Sequence, residues 1–150
     1  MKTVDTQIRW IGKLAYMAHA SGHEVLMDGK KTVGGQDLGM TPKELLLSAI
    51  CGCTGMDVIS MLSSKFKLPV KTCEVSAQAD LSEGKAPTVY ERVRVSFDLT
   101  GDLPADKVTE SVVLSMKKYC GVTAMISKAC PVTYGVRLNG ELISEGQAFP

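Results

Sequence analysis

Residues 41–65 read TPKELLLSAICGCTGMDVISMLSSK, and this stretch decides the fold. Thr41 can cap a helix. Pro42 suits the first helical position, where a missing N–H leaves no bond unmade, and Glu44 stands three residues after the cap, as in a capping box. Leu45, Leu46, Leu47, Ala49, Ile50, Met56, Val58, Ile59, Met61 and Leu62 follow, apolar on nearly every side of the helical wheel. The pattern predicts a helix from about Thr41 to Lys65, buried on most faces. Gly52 and Gly55 each cost about 1 kcal/mol against alanine inside a helix. A close approach by another backbone is the expected reason to keep them. Pro69 closes the segment.

Upstream of this helix, Val4, Thr6, Ile8 and Trp10 alternate with Asp5, Gln7 and Arg9, which predicts a half-buried strand. Gly12-Lys13 reads as a turn, Leu14 to Ala18 as a second strand and His23 to Met27 as a third. Asp28-Gly29 ends the third strand, and the Gly-rich stretch from Lys30 to Met40 reads as a loop. Downstream, Cys73 to Leu81 is a fourth strand, Ser82 to Pro87 a turn, and Val89 to Thr100 a long amphipathic strand of an antiparallel sheet. Asp102 to Pro104 opens a second helix carrying Val108, Val112 and Met116. Gly121 interrupts it, Val122 to Lys128 forms a short helix, and Pro131 to Leu138 is the last strand. This order is α+β, with helices packed on a mainly antiparallel sheet.

Composition narrows the function. The net charge is +1, aromatic residues make up 5% of the chain, and no Lys/Arg run exceeds two residues. Nucleic acid is therefore not an expected partner, because phosphate binding needs a concentrated basic surface. No uninterrupted apolar run approaches the roughly 18 residues of a membrane span, so no membrane is expected. The N-terminus lacks the charged start and apolar block of a secretory signal, which predicts a cytoplasmic protein.

In a reducing compartment the five cysteines Cys51, Cys53, Cys73, Cys120 and Cys130 are not a disulfide framework. They are core thiols, metal ligands or reactive groups. C-x2-C spacing is absent, and although His19 and His23 stand i, i+4 apart, they flank a glycine outside any helix with no second ligand pair nearby, so neither metal nor cofactor is expected. Cys51 and Cys53 diverge by about 200° on a helix and cannot act as a dithiol pair. The base rate favours core packing for both. Cys120 follows Lys117 and Lys118 at a helix start, where dipole and cations are expected to lower its pKa. Cys73 reads as structural, and Cys130 precedes a strand.

The run from Thr41 to Val58 resembles the signature helix of the OsmC/Ohr family of hydroperoxide-reducing proteins. In that family the attacking cysteine lies eleven residues after the helix proline, which here lands on Cys53 and not Cys51. The stretches Ala20 to Gly29 and Lys117 to Val122 are similar to the YhfA-type branch. The resemblance implies a single OsmC-like domain over residues 1–150 in an intertwined homodimer. Strands from about residue 3 to 28 are then exchanged or paired with the partner chain, and the site lies at the interface.

The resemblance further implies that Cys53 attacks an organic hydroperoxide to give a sulfenic acid. A second cysteine condenses with it, and an external dithiol reduces the disulfide. Cys120 and Cys130 are both candidates for the second thiol. Cys120 has the family's distance ahead of the last strand, whereas Cys130 abuts that strand. Two departures stand out. The family's supporting Glu position holds Lys43, with Glu44 beside it, and the Arg position falls near Lys13. Three functions follow as expectations: a thiol-dependent peroxidase in oxidative-stress defence, a non-catalytic module holding a small apolar or acyl ligand, or a thiol redox sensor.

Overall fold

Helix α1 (Pro42–Ile59) starts where the capping box predicts. Thr41 Oγ1 accepts from the Glu44 N–H at 3.3 Å, and Glu44 Oε1 accepts from the Thr41 N–H at 3.2 Å and its hydroxyl at 2.8 Å. A π-helical stretch, Ser60–Lys65, continues the helix to the expected end. The computed structural model describes residues 1–149. They fall into two compact units, residues 1–46 and 47–149.

The first unit holds an antiparallel sheet of β1 (Gln7–Gly12), β2 (Ala15–Ala20) and β3 (His23–Met27), in that order. Val4 and Thr6 precede β1, and residues Gln7 to Ile11 are all exposed, so the half-buried reading of the first strand does not hold within one chain. The loop after β3 is tightly built. A side chain at Gly35 would collide with the carbonyl of Gly29. Asp28, 2% exposed, gathers the backbone N–H groups of Gly29, Gln36 and Leu38 at 2.7–3.2 Å.

Burial pushes the Asp28 carboxyl up, but the N–H groups of Leu38, Gly29 and Gln36, helped by the Lys13 charge, hold it below its ordinary 3.8. A depressed carboxylate stabilises the fold above its unfolded pKa, and that stability is lost as pH falls through the folded value. Acidification below about pH 4 and Asp28→Ala are therefore both expected to open residues 29–40. Hydrogen exchange reads this directly: unchanged protection at Gln36 and Leu38 in Asp28→Ala would refute it.

The second unit contains a four-stranded sheet of β4 (Val70–Leu81), β5 (Tyr90–Gly101), β6 (Val132–Leu138) and β7 (Glu141–Gln147). β5 pairs antiparallel with β4 but parallel with β6. Its alternation is as read from Arg92 onward: Val93, Val95, Phe97 and Leu99 are buried, and Arg92, Ser96 and Asp98 are exposed, while Glu91, which the alternation places with the buried set, is exposed at the strand's start. β7 was not expected. It turns back from β6 at Asn139-Gly140, both with positive φ, the dipeptide a two-residue hairpin favours. Helix α2 (Ala105–Leu114) runs on through a π-helical Ser115–Tyr119. The chain breaks at Cys120, and α3 (Gly121–Ser127) follows.

Ile50, Val58 and Leu62 from α1 and its continuation join Val108, Val112 and Met116 on the inner face of this sheet. In α1 only Ile50, Thr54 and Val58 are buried, while Met56 is 75% exposed and Leu46 and Ile59 are also open. Within one chain the buried side is one stripe, because the helix here packs against a single sheet face. Gly55 does sit close to β4, where an added Cβ would lie 3.3 Å from Val75, but Gly52 faces open space.

Pro42–Lys65 is also long and apolar enough, by length and composition, to cross a membrane, with mean hydropathy 1.8 over its most apolar 18 residues. Ser48, Gly52, Thr54 and Asp57 interrupt the apolar run without lowering this average enough to miss the criterion. A core helix meets the same criterion. The Ile50, Val58 and Leu62 stripe gives this one a packed role.

Candidate thiol site

The helical wheel separates the two thiols of the C-x-C pair as expected. Cys51 packs against the hydrophobic core, and burial raises its pKa. Cys53, half-buried, points elsewhere. Asp57, one turn on, shares its face. The break after α2 delivers Cys120 to the same place: its φ of −74° and ψ of 106° end the π-helical stretch and cap α3. The sulfurs of Cys53 and Cys120 and a carboxylate oxygen of Asp57 all lie within 4.8 Å of one another, the one such His/Cys/Asp/Glu group among the described residues.

Hydrogen bonds fix this arrangement. Ser115 Oγ, on a fully buried residue, donates to Asp57 Oδ2 at 2.9 Å and so ties α2's continuation to α1. Thr123 N–H donates to Cys120 Sγ at 3.3 Å. Burial drives the Cys120 thiol up to about 11, its hydrogen bond and charge interaction with Cys53 add to the rise, and the Thr123 contacts oppose it. The sequence expectation of a lowered pKa is therefore corrected. Cys120 is 1% exposed, and the loss of water outweighs the helix start.

The remaining candidates go elsewhere. Cys130 is a core member, and Cys73 packs on the core at the start of β4; burial raises both thiols. His19 pairs with Glu24 at 3.2 Å across the β2–β3 hairpin, where His23 faces Ala20. Glu44 is engaged by the Thr41 hydroxyl and N–H and by Lys30 at 3.4 Å, which hold its carboxyl below the usual range. Lys13 sits in the β1–β2 turn with φ 47°, and its charge acts on Asp28. Sequence reading missed Asp57 and Ser115. The signal available was an acid at i+4 from Cys53 inside an otherwise apolar helix.

Residues 34–135 match the family model described as OsmC-like protein. The chain is 35% identical over 133 residues to Protein YhfA of Escherichia coli K12, covering 87% of this chain and 95% of that protein. A solved hypothetical protein from Aquifex aeolicus VF5 superposes with TM-score 0.77 at 25% identity, over 93% of this chain and 99% of that one. An organic hydroperoxide resistance protein OsmC from Legionella pneumophila shares the fold, with TM-score 0.66 at 14% identity, over 91% and 97% of the two chains.

Proposed function

The chain belongs to the OsmC-like protein family, and on that premise we propose that it reduces organic hydroperoxides with Cys53 as nucleophile and Cys120 as resolving thiol. The observation that carries this reading is the approach of the two sulfurs to within 4.8 Å. The Cys53 thiolate attacks the O–O bond, the alcohol leaves after taking up a proton, and Cys53 becomes a sulfenic acid. Cys120 then attacks that sulfur, a disulfide forms and water leaves. An external dithiol restores both thiols by exchange in the cytoplasm.

Cys53 is partly open to solvent while Cys120 is buried. Substrate therefore meets Cys53 first, and Cys120 is shielded from direct oxidation. Neither Glu44 nor Lys13 is assigned a catalytic step, since each has a structural partner in its own unit. The exposed Met56 and Ile59 on α1, with Ile8, Trp10 and Val25 on the three-stranded sheet, support an intertwined homodimer that covers them. The N-terminal strands would then pair with the partner chain.

One equivalent of cumene hydroperoxide added to the reduced protein, followed by alkylation and peptide mass spectrometry, is the test. It should yield a Cys53–Cys120 disulfide within chains that sediment as dimers. A Cys53–Cys130 disulfide would reassign the resolving thiol. Five free thiols after the hydroperoxide is added would end the peroxidase reading, and a monomer would end the dimer.

A further inference from the structure

We propose that Cys53, Asp57 and Cys120 form a zinc site, and that metal and peroxide compete for the same two sulfurs. Cysteine spacing alone argues against zinc because no short ligand repeat is present. The fold supplies what the spacing does not, bringing Cys120 from beyond α2 onto the Cys53–Asp57 face of α1.

Two thiolates and a carboxylate are a donor set that suits a borderline-soft divalent ion. In a tetrahedral site with Zn–S near 2.3 Å and Zn–O near 2.1 Å, ligand atoms stand roughly 3.5–3.8 Å apart. The three donor atoms are already within 4.8 Å of one another, so small side-chain rotations close the site. Cys53 and Asp57 are an i, i+4 pair on one helix face, the spacing that lets two side chains share an ion.

The support around the donors is of the kind metal ligands have. Ser115 holds Asp57 by Oδ2, which orients the carboxylate and leaves its other oxygen unengaged by that bond. The Thr123 N–H directed at Cys120 Sγ stabilises a thiolate there. Such outer contacts fix ligand orientation. Cys53 and Asp57 are partly exposed, which gives an ion a way in. Three protein ligands leave a fourth position for water.

The metal site needs only this geometry and stands apart from the peroxidase reading; the competition rests on that reading. A bound ion occupies the sulfur lone pair that would attack the O–O bond. Conversely, when the ion dissociates, a hydroperoxide that oxidises the two freed thiolates to a disulfide takes up two protons from solvent. It leaves as alcohol and water, and the ion does not rebind because a disulfide offers no thiolate.

The test uses reduced full-length protein under argon, titrated with Zn2+ against a chromophoric chelator and with Co2+ as a spectroscopic probe. The expected result is one ion per chain, with sulfur-to-cobalt charge-transfer bands. Binding should vanish in Cys53→Ser and weaken strongly in Asp57→Asn, which loses the ligand's charge, and Ser115→Ala should weaken it by about 10–100-fold, the range for losing a partner that orients a ligand. Cys73→Ser should bind as native, and oxidation of the loaded protein with hydroperoxide should release the ion. Failure to bind at one ion per chain, or native affinity in Cys53→Ser and Asp57→Asn, overturns the site. Zinc binding without hydroperoxide consumption by the metal-free protein would sink the peroxidase reading and leave the metal site intact. Turnover unaffected by bound zinc would sink the competition alone.

Discussion

Cys53→Ser is expected to reduce hydroperoxide turnover to background, a loss of about a thousandfold or more, since the step then lacks its nucleophile. No neighbour can take over. Cys51 lies two residues away on the same helix but packs against the core, and burial holds its thiol up, against forming the reactive thiolate. Cys120 is 1% exposed, with its pKa pushed to about 11. Cys51→Ser should therefore retain near-native turnover. Cys120→Ser should pass through one turnover and stall, with a trappable sulfenic acid on Cys53. Peroxide consumption followed in a dithiol-coupled assay separates these variants. Equal rates for native protein and Cys53→Ser would remove the thiol from the reaction.

That pairing of residues was legible in the sequence only in part. The helix from Thr41 to Lys65 could be read to its ends, because a capping box and a proline at the first position are local signals. The alternation of β5 was equally readable, because one face of the strand meets the core and the other meets water. Which of the two thiols on α1 mattered did not follow from helical geometry, which only separates Cys51 from Cys53. The family resemblance, through its spacing from Pro42, pointed to Cys53, and the tertiary fold places Cys120 beside it.

Other features resisted reading for physical reasons. The pKa of Cys120 depends on how much water its surroundings exclude, and burial reversed the sign that the helix start and two lysines suggested. The exposed side of α1 could not be told from its buried side, because apolar residues cover both and only packing distinguishes Ile50 from Met56. Asp57 looked like an interruption of the helix. Its role emerges when Ser115, far along the chain, donates to it. β7 is a different case. Asn139-Gly140 was a visible hairpin signal, and Glu141 to Gln147 is the strand that it announces.

Phe97→Ala should be the most destabilising single truncation, costing about 3–5 kcal/mol. Phe97 is the largest side chain with essentially no exposure, 1%, and it stands at the middle of β5 with Val75 of β4 opposite and Val136 of β6 on the other side. Both neighbours belong to paired strands, so the backbone cannot collapse easily into the space left behind, and the cavity term adds to the lost transfer energy. Against a typical total of about 5–15 kcal/mol, the loss is a large share of the fold's stability. The same core cluster holds Ile50 and Val58, which flank Cys53 in sequence and anchor its helix. The truncation should therefore lower the urea midpoint and broaden the distribution of Cys53–Cys120 distances, slowing disulfide formation without touching either thiol. Phe97→Leu, which keeps most of the volume, should recover most of both effects. A midpoint unchanged in Phe97→Ala would mean that the sheet does not depend on this side chain, and a lowered midpoint with native disulfide kinetics would uncouple the core from the thiol site.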